Sequence, residues 1–187
     1  MELRALAGRR IRCTSTLSGR RSIGRIRAVS ENSLTVDSEF VDAKDAFGQV
    51  IVEILLPEYL LILAGDSMIL RHGLCQIEVS NSVSALPAPT MEFLRMPAQV
   101  EFKLPCGASA SASLVAAGHR CFALESSNSI PLGKYIEFNI NDEGRQFTIS
   151  GPVSNSIDRG RSRLYFVSFD DVPRVISLFW QKLQNTG

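Results

Sequence analysis

The feature that most constrains the fold is the recurrence of short runs in which apolar and polar residues alternate. Near the middle of the second half, Ile136, Phe138 and Ile140 alternate strictly with less apolar neighbours. Such alternation predicts a β-strand with one buried face. The turn-forming sequence Asn-Asp-Glu-Gly at 141–144 follows directly and predicts a hairpin to a second strand at 146–153. A chain assembled from such units is expected to be all-β dominated.

Similar runs lie on both sides of a segment that begins rich in serine and proline. We interpret residues 81–94 as a linker between a first domain, 1–80, and a second, 95–187. Each half holds about six strand-like runs in matching order, a pattern typical of small antiparallel barrels. We therefore predict an internal duplication that forms two small antiparallel β-barrels in tandem. The remaining predicted strands are 23–36 with a bend at Asn32-Ser33, 50–56, 59–63, 67–70, 75–79, 98–104, 111–117, 121–124 and 164–169.

Other signals predict where these strands are interrupted and where the chain changes structure. The pair Gly65-Asp66 predicts a turn, and residues 155–162 predict a polar loop. After residue 169 we predict one helix, capped by Asp170 or Asp171 and with Pro173 in its first turn. Its apolar stripe is expected to close one end of a barrel, with docking of a partner as the alternative. The stripe consists of Val172, Val175, Ile176, Phe179 and Leu183, with Trp180 beside it.

The composition describes a globular chain without signs of a membrane span or a metal site. The 187 residues are 45% hydrophobic and 21% charged, which is enough for a buried core. The longest apolar run, 54–64, is too short to cross a bilayer, and residues 1–12 do not resemble a secretory signal. The four cysteines form no CxxC pair and there are only two histidines, so we expect no zinc site. Reduced thiols and a cytoplasmic location are expected instead.

No catalytic arrangement is recognisable, and we expect no enzyme. The two histidines, His72 and His119, lie in distant segments and support no Ser–His–Asp arrangement. The acidic stretch that contains Asp37, Glu39, Asp42 and Asp45 fits no calcium loop and is expected to be solvated.

Arginine is concentrated near the N-terminus. Residues 1–30 contain eight of the sixteen arginines and one acidic residue, so they carry a charge of +7 while residues 31–187 carry −6. Guanidinium groups bind phosphates and guanine edges through a planar fork, so the cluster predicts an anionic partner. A solvated strand face is the alternative. Nucleic acid is not expected, because the chain carries only +1 and no aromatic residues alternate with the arginines.

The residues around this arginine cluster carry a family resemblance. Arg9, Arg10 and Arg12 precede the segment 19–36, in which Ala28, Ser30 and Ser33 are spaced as in an Asp/Asn-x-Ser-x-x-Gly motif. This segment resembles the PilZ family, whose motif follows an arm with the pattern Arg-x-x-x-Arg. In the second half, the segment 115–122 resembles the same motif with Val115, Ala117 and Arg120 at its positions, and segments 130–138 and 164–169 resemble the rest of a PilZ domain.

The resemblance implies a role in bacterial cyclic di-GMP signalling. In the family, arm arginines bind the phosphates and guanines, and the Asp or Asn accepts hydrogen bonds from guanine. Here Ala28 offers no acceptor and Ser33 replaces the glycine. An unpaired buried guanine donor costs about 1–3 kcal/mol, so binding is expected to be lost or weak.

Two hypotheses follow from this resemblance. The first is a non-catalytic regulatory adaptor that acts through a protein partner in the control of motility, pili, attachment or secretion. The second is a genuine receptor that binds cyclic di-GMP through Arg9, Arg10, Arg12 and Ser30, with the N-terminal arm ordering around the ligand.

Overall fold

The computed structural model describes residues 3–38, 48–71, 73–104, 106–142 and 145–169. Within these residues the chain forms twelve strands and one short 3-10 helix at Leu3–Leu6. The predicted C-terminal helix lies outside the described residues, as do Glu39, Asp42 and Asp45. The strands are β1 (Arg10–Ser15), β2 (Arg21–Val29), β3 (Ser33–Ser38), β4 (Gly48–Leu56), β5 (Tyr59–Arg71), β6 (Leu74–Pro87), β7 (Glu92–Lys103), β8 (Ser109–Ala117), β9 (Cys121–Ser126), β10 (Tyr135–Asp142), β11 (Arg145–Asp158) and β12 (Arg163–Ser168).

The strands form two closed barrels, which confirms the predicted tandem architecture. Barrel 1 has the order β1-β2-β3-β6-β5-β4 and closes through β1 and β4. Barrel 2 has the order β10-β11-β12-β9-β8-β7 and closes through β7 and β10. Counted from its own first strand, each barrel has the order first, second, third, sixth, fifth, fourth. All pairings between the described strands are antiparallel, and each barrel is closed.

The duplication extends to the register of the hairpin between the second and third strands. In barrel 1, a register shift separates the pair Ile26–Val36 from the pair Ala28–Thr35. In barrel 2, a shift of the same kind separates Leu114–Leu124 from Ala116–Ala123. The turns also match, because the Ser30 amide donates to the Ser33 carbonyl at 2.9 Å and the Gly118 amide donates to the Cys121 carbonyl at 2.8 Å. Each residue of one hairpin therefore has a defined counterpart in the other.

The connection between the barrels is shorter than the predicted linker at 81–94. Strand β6 continues to Pro87 and β7 begins at Glu92, so only residues 88–91 lie between them. The compact units are Met1–Ala88 and Pro89–Gly187. Serines in the predicted linker pair with β5 through their backbones, as Ser84 does with Ile62. Backbone pairing does not require apolar side chains, so the polar composition was misleading.

The prediction of a turn at Gly65-Asp66 is wrong, because β5 runs without a break through both residues. A Cβ atom on Gly65 would lie 2.4 Å from the Glu78 carbonyl oxygen, so the glycine permits a close approach of two backbones. Gly151 in β11 has the same role, because its Cβ would lie 2.3 Å from the Ser168 carbonyl oxygen. The predicted loop at 155–162 is also shorter, since β11 extends to Asp158.

Alternation along the strands decides which side chains fill each barrel. The core of barrel 1 is aliphatic and includes Ile11 and Cys13 of β1. The core of barrel 2 contains more aromatic rings, among them Phe122 and Tyr165. The hydroxyl of Tyr165 accepts from the Ile130 amide at 3.0 Å and donates to the Asn128 carbonyl at 2.9 Å, so this buried group is satisfied.

Candidate functional site

Two of the three predicted arm arginines lie in a strand. Arg10 and Arg12 belong to β1. In this strand they alternate with Ile11 and Cys13, whose side chains lie in the core of barrel 1. Alternation therefore directs both arginines away from the core. Neither is exposed, because Arg10 is 9% and Arg12 is 2% accessible. Arg9 precedes the strand and is half-buried.

Arg12 is held by an ion pair with Glu53. The two residues are directly opposite each other on β1 and β4, and Nε of Arg12 lies 2.5 Å from Oε2 of Glu53. Each side chain is only 3% accessible. A buried charge requires a partner, and removal of one partner of such a pair is strongly destabilising. The sequence analysis missed Glu53, although a single acid within the apolar run 50–56 was a visible signal.

Arg10 lies opposite a second arginine on the neighbouring strand. It is paired in register with Arg25 of β2, and both side chains point away from the core. Arg25 is exposed, and its Nη1 donates to the Gly8 carbonyl at 3.0 Å. The carbonyl of Arg9 accepts from the Ile26 amide at 3.0 Å, which brings Arg9 to the same end of β2. The strand register therefore sets Arg10 and Arg25 side by side, with Arg9 close to them.

Ser30 is separate from these arginines. It is exposed in the turn after β2, and its hydroxyl lies 2.5 Å from that of the buried Ser33. Ser30 lies in the turn five residues beyond Arg25, a span of up to about 17 Å of extended chain. The structure thus brings Arg9 and Arg10 together with Arg25, but it does not join Arg12 or Ser30 to them.

The hairpin register corrects the predicted motif positions in the second half. Ala28, Ser30 and Ser33 correspond to Ala116, Gly118 and Cys121, one residue beyond the predicted Val115, Ala117 and Arg120. The register shift is common to both hairpins, so the correspondence follows from their matching strand pairs and turn hydrogen bonds. In both barrels, an alanine therefore stands where the motif has its Asp or Asn.

The two motif-bearing surfaces differ in exposure. In barrel 1, Arg27 and Ala28 are exposed and Thr35 is half-buried. Their counterparts Val115, Ala116 and Ala123 in barrel 2 are buried, each at 3% or less. Only in barrel 1 is this part of the second and third strands open to a ligand or a partner.

Arg27 is joined to an acid on the next strand. Its Nε donates to Oδ2 of Asp37 at 3.0 Å, and a second, shorter contact joins Nη2 to the same oxygen. Asp37 lies in β3, so the prediction that it belongs to a solvated loop is wrong. The alternation of Leu34 and Val36 with polar neighbours was the signal for this strand.

The cysteines do not provide a reactive thiol at this site. Cys13, Cys75 and Cys121 are free and buried, and Cys106 is free and exposed. Burial raises the pKa of Cys121 to about 12 and also raises the pKa of Cys13 and of Cys75, so these three thiols stay protonated near neutral pH. Among the described residues, no three His, Cys, Asp or Glu side chains are arranged to hold a metal ion. No helix in the described part of the chain is long and apolar enough to cross a membrane.

Comparisons with known proteins find matches only among solved structures. No family model and no curated protein matches the chain. Among solved structures, it is similar to the inhibitor of motility MotI/DgrA of Bacillus subtilis, at 10% identity over 95% of this chain and 93% of that one, with a TM-score of 0.41. It is similar to Escherichia coli YcgR in complex with c-di-GMP, at 16% identity over 98% and 85% of the two chains, with a TM-score of 0.43.

A third similar structure is the c-di-GMP complex of K. pneumonia MrkH, at 7% identity over 96% of this chain and 90% of that one, with a TM-score of 0.45. The YcgR and MrkH structures contain c-di-GMP, the ligand of the family that the sequence resembles. Because every TM-score is below 0.5 and every identity is below 25%, these likenesses do not by themselves assign a function.

Proposed function

We propose that this chain is a non-catalytic bacterial regulatory adaptor of the PilZ type, which acts by binding another protein. The observation that carries the proposal is the alanine at the acceptor position of the motif in both barrels, Ala28 and Ala116. An alanine side chain cannot accept a hydrogen bond from guanine. A buried donor without an acceptor costs about 1–3 kcal/mol, which weakens binding roughly 5- to 150-fold.

The buried ion pair supports the same proposal. Arg12, which the receptor hypothesis assigns to the ligand, is engaged with Glu53 in the wall of barrel 1. To bind a phosphate, its guanidinium would have to leave Glu53 without that partner, at a cost of several kcal/mol. Loss of the ligand-binding side chains leaves the fold intact, because the closed barrels are stabilised by their core residues. An adaptor of this kind keeps its framework and loses its ligand groups.

A cytoplasmic role in the control of motility, pili, attachment or secretion is part of the proposal. It comes from the family resemblance of the sequence. Free thiols such as Cys13 and Cys121 agree with a reducing compartment.

The alternative is a receptor for cyclic di-GMP, and one observation favours it. Arg10 and Arg25 lie opposite each other on β1 and β2, with Arg9 at the same end. Such a group attracts phosphate. Under this alternative, Arg9, Arg10 and Arg25 bind the ligand, and Arg12 remains structural.

The deciding experiment is a calorimetric titration of the full chain with cyclic di-GMP. The adaptor proposal expects no saturable heat up to high-micromolar ligand. Saturable binding that is lost in Arg10→Ala would overturn it. Arg12→Ala is unsuitable for this purpose, because it leaves Glu53 buried without its ion-pair partner.

A restoring variant makes the test sharper. Ala28→Asp returns an acceptor to an exposed position of barrel 1, and Ala85→Asp adds the same charge to an exposed position of β6. If a missing acceptor is what abolished binding, Ala28→Asp should gain measurable affinity and Ala85→Asp should not. Equal behaviour of both variants would show that Ala28 is not the cause.

A further inference from the structure

One end of barrel 2 presents two exposed apolar side chains. The connection from β9 to β10, residues 127–134, finishes in the turn Pro131-Leu132-Gly133-Lys134. Leu132 of this turn is 59% accessible, and Tyr135, the first residue of β10, is 71% accessible. Exposure of so much apolar surface to water is unfavourable, so both side chains would be stabilised by an apolar environment.

Hydrogen bonds fix this turn to the wall of the barrel. The Gly133 amide donates to the Val153 carbonyl at 2.8 Å, and the Val153 amide donates to the Lys134 carbonyl at 2.9 Å. Gly133 has a φ of +75°, as the third residue of a type II turn requires. The turn therefore holds Leu132 outward in a defined position, and docking through it orders little additional backbone.

The same end of barrel 2 is basic. Because successive strands run in opposite directions, the connections 127–134 and 159–162 both lie at this end. Together they contain Lys134, Arg159 and Arg161 and no acidic residue. Exposed apolar side chains and positive charge thus occur together at this end.

Two of these basic side chains are available to a ligand. Lys134 and Arg161 are exposed, and neither side chain has a hydrogen-bond or ion-pair partner in the part of the chain that the structure describes. Asp158, which precedes the second connection, is paired instead with Arg163, with Oδ2 and Nη2 2.8 Å apart. Glu137 is exposed two residues after Tyr135 in β10, about 7 Å along the strand and away from this end.

We propose that this end of barrel 2 docks on the surface of an anionic lipid bilayer. We call Leu132, Lys134, Tyr135 and Arg161 the docking group. Leucine and tyrosine side chains enter the boundary between headgroups and acyl chains, and cations beside them are attracted to anionic headgroups. The inference goes beyond the adaptor function and does not depend on it, because the docking group contains no motif residue.

The composition of the docking group favours a bilayer over a nucleic acid. A base can stack on the ring of Tyr135, but the aliphatic side chain of Leu132 offers it no aromatic face. At a bilayer both side chains are used, because the leucine enters the apolar layer and the tyrosine keeps its hydroxyl at the wet side.

The test is co-sedimentation of the full chain with vesicles of equal parts phosphatidylglycerol and phosphatidylcholine. At low salt the chain should sediment with these vesicles and not with vesicles of phosphatidylcholine alone. Lys134→Gln/Arg161→Gln should weaken binding about 5- to 30-fold, because each cation near an anionic surface contributes roughly a factor of five. Added salt should weaken binding as well, since it screens the headgroup charge.

Leu132→Ser isolates the apolar contribution, because it leaves the charge unchanged. We expect it to weaken binding about 3- to 10-fold, as the leucine is only partly buried at the surface. Leu17→Ser is the matched control, since Leu17 is 85% accessible and belongs to barrel 1. If Leu132→Ser binds as tightly as the unmodified chain, charge alone attracts the vesicle and the proposal is overturned.

The matched charge control is Arg71→Gln/Arg120→Gln, which removes two exposed arginines outside the docking group. Unchanged affinity in this control supports the proposal. An equal loss in the control, or no sedimentation of the unmodified chain, would overturn it and leave a protein as the occupant. Tighter binding of an oligothymidine, unaffected by Leu132→Ser, would overturn it in favour of nucleic acid. Thermal unfolding of all these variants should match that of the unmodified chain, because every substituted side chain is exposed.

Discussion

The two barrels have the same strand order and hairpin register, but their outer surfaces differ in opposite ways. On the side of barrel 1 formed by its first, fourth and fifth strands, some outward side chains are buried. Glu53 of the fourth strand and Leu60 of the fifth point away from the core and are only 3% and 0% accessible. Their counterparts in barrel 2 are the half-buried Asn139 and the exposed Gln146. The second, third and sixth strands show the reverse, since Phe166 is buried and its counterpart Gln76 is only half-buried. The interior of each barrel follows from the fold, and the outer surfaces have diverged.

The buried ion pair should give the largest difference between the barrels. Glu53→Ala leaves Arg12 buried without its carboxylate, so we expect a loss of about 3–5 kcal/mol in the free energy of unfolding. Asn139→Ala, at the counterpart position, should cost less than about 1 kcal/mol. Urea unfolding followed by circular dichroism measures both. Arg12→Met/Glu53→Leu should recover much of the stability, and failure to do so would mean that the pair is needed for more than charge balance.

The matched glycines should respond alike in the two barrels, with a smaller effect. Gly65→Ala and Gly151→Ala each bring a Cβ against a backbone carbonyl oxygen, so we expect losses of about 1–3 kcal/mol from overpacking. Gly73→Ala is a useful control, because space surrounds its Cβ and only its φ of +72° opposes alanine. Thermal unfolding would measure the three variants. A large loss for one of the matched glycines and none for the other would show that the duplication does not extend to this contact.

Alkaline pH should produce the smallest change in the free energy of unfolding. It should distinguish the barrels at the position of Cys121. Cys121 corresponds to Ser33, and only the cysteine titrates. Burial raises its pKa from 9.0 to about 12, so above pH 9 the unfolded chain loses this proton while the folded chain keeps it. The contribution of Cys121 to the free energy of unfolding is therefore fully present below pH 9. It declines as the pH rises toward about 12, by at most about 1.4 kcal/mol per pH unit.

Urea unfolding at pH 7 and pH 10 tests this expectation with Cys121→Ala as the reference. The stability difference between the unmodified chain and Cys121→Ala should shrink at the higher pH. Cys106→Ala is the matched control, because it removes an exposed cysteine from the same barrel. A constant difference between the unmodified chain and Cys121→Ala at both pH values would mean that the buried thiol does not ionise as described.

Much of the fold is readable from the sequence where alternation is strict. The segment 135–140 predicted β10, and the turn after it predicted the hairpin that pairs Asp142 with Arg145. The errors occur where the conformation depends on pairing with a neighbouring strand. Gly65-Asp66 looked like a turn because glycine allows both a turn and a close backbone approach, and only the neighbouring strand decides between them. The linker was predicted too long because strand pairing uses backbone groups that composition does not report.

The candidate site was less readable, for physical reasons that concern pairs of strands. The arginines in the first 30 residues were identified from the sequence. The pairing of Arg12 with Glu53, which lies 41 positions later in the chain, was not. The motif in the second half was placed one residue too early, because its position is defined by the pairing of β8 with β9 and not by residue types that the two halves share. The separation of Ser30 from Arg25 follows from strand geometry, since Ser30 lies in the turn beyond the end of β2.

The sequence by itself determined that this chain is a β protein with two similar halves and an arginine-rich start. Alternation, turn residues and charge are local properties, and they act without knowledge of the rest of the chain. Only the tertiary structure decided which arginines are available. Closure of barrel 1 sets Arg12 against Glu53 and leaves Arg25 and Arg27 exposed on β2. Burial and pairing depend on distant residues, so identical side chains have different roles according to the strand that lies beside them.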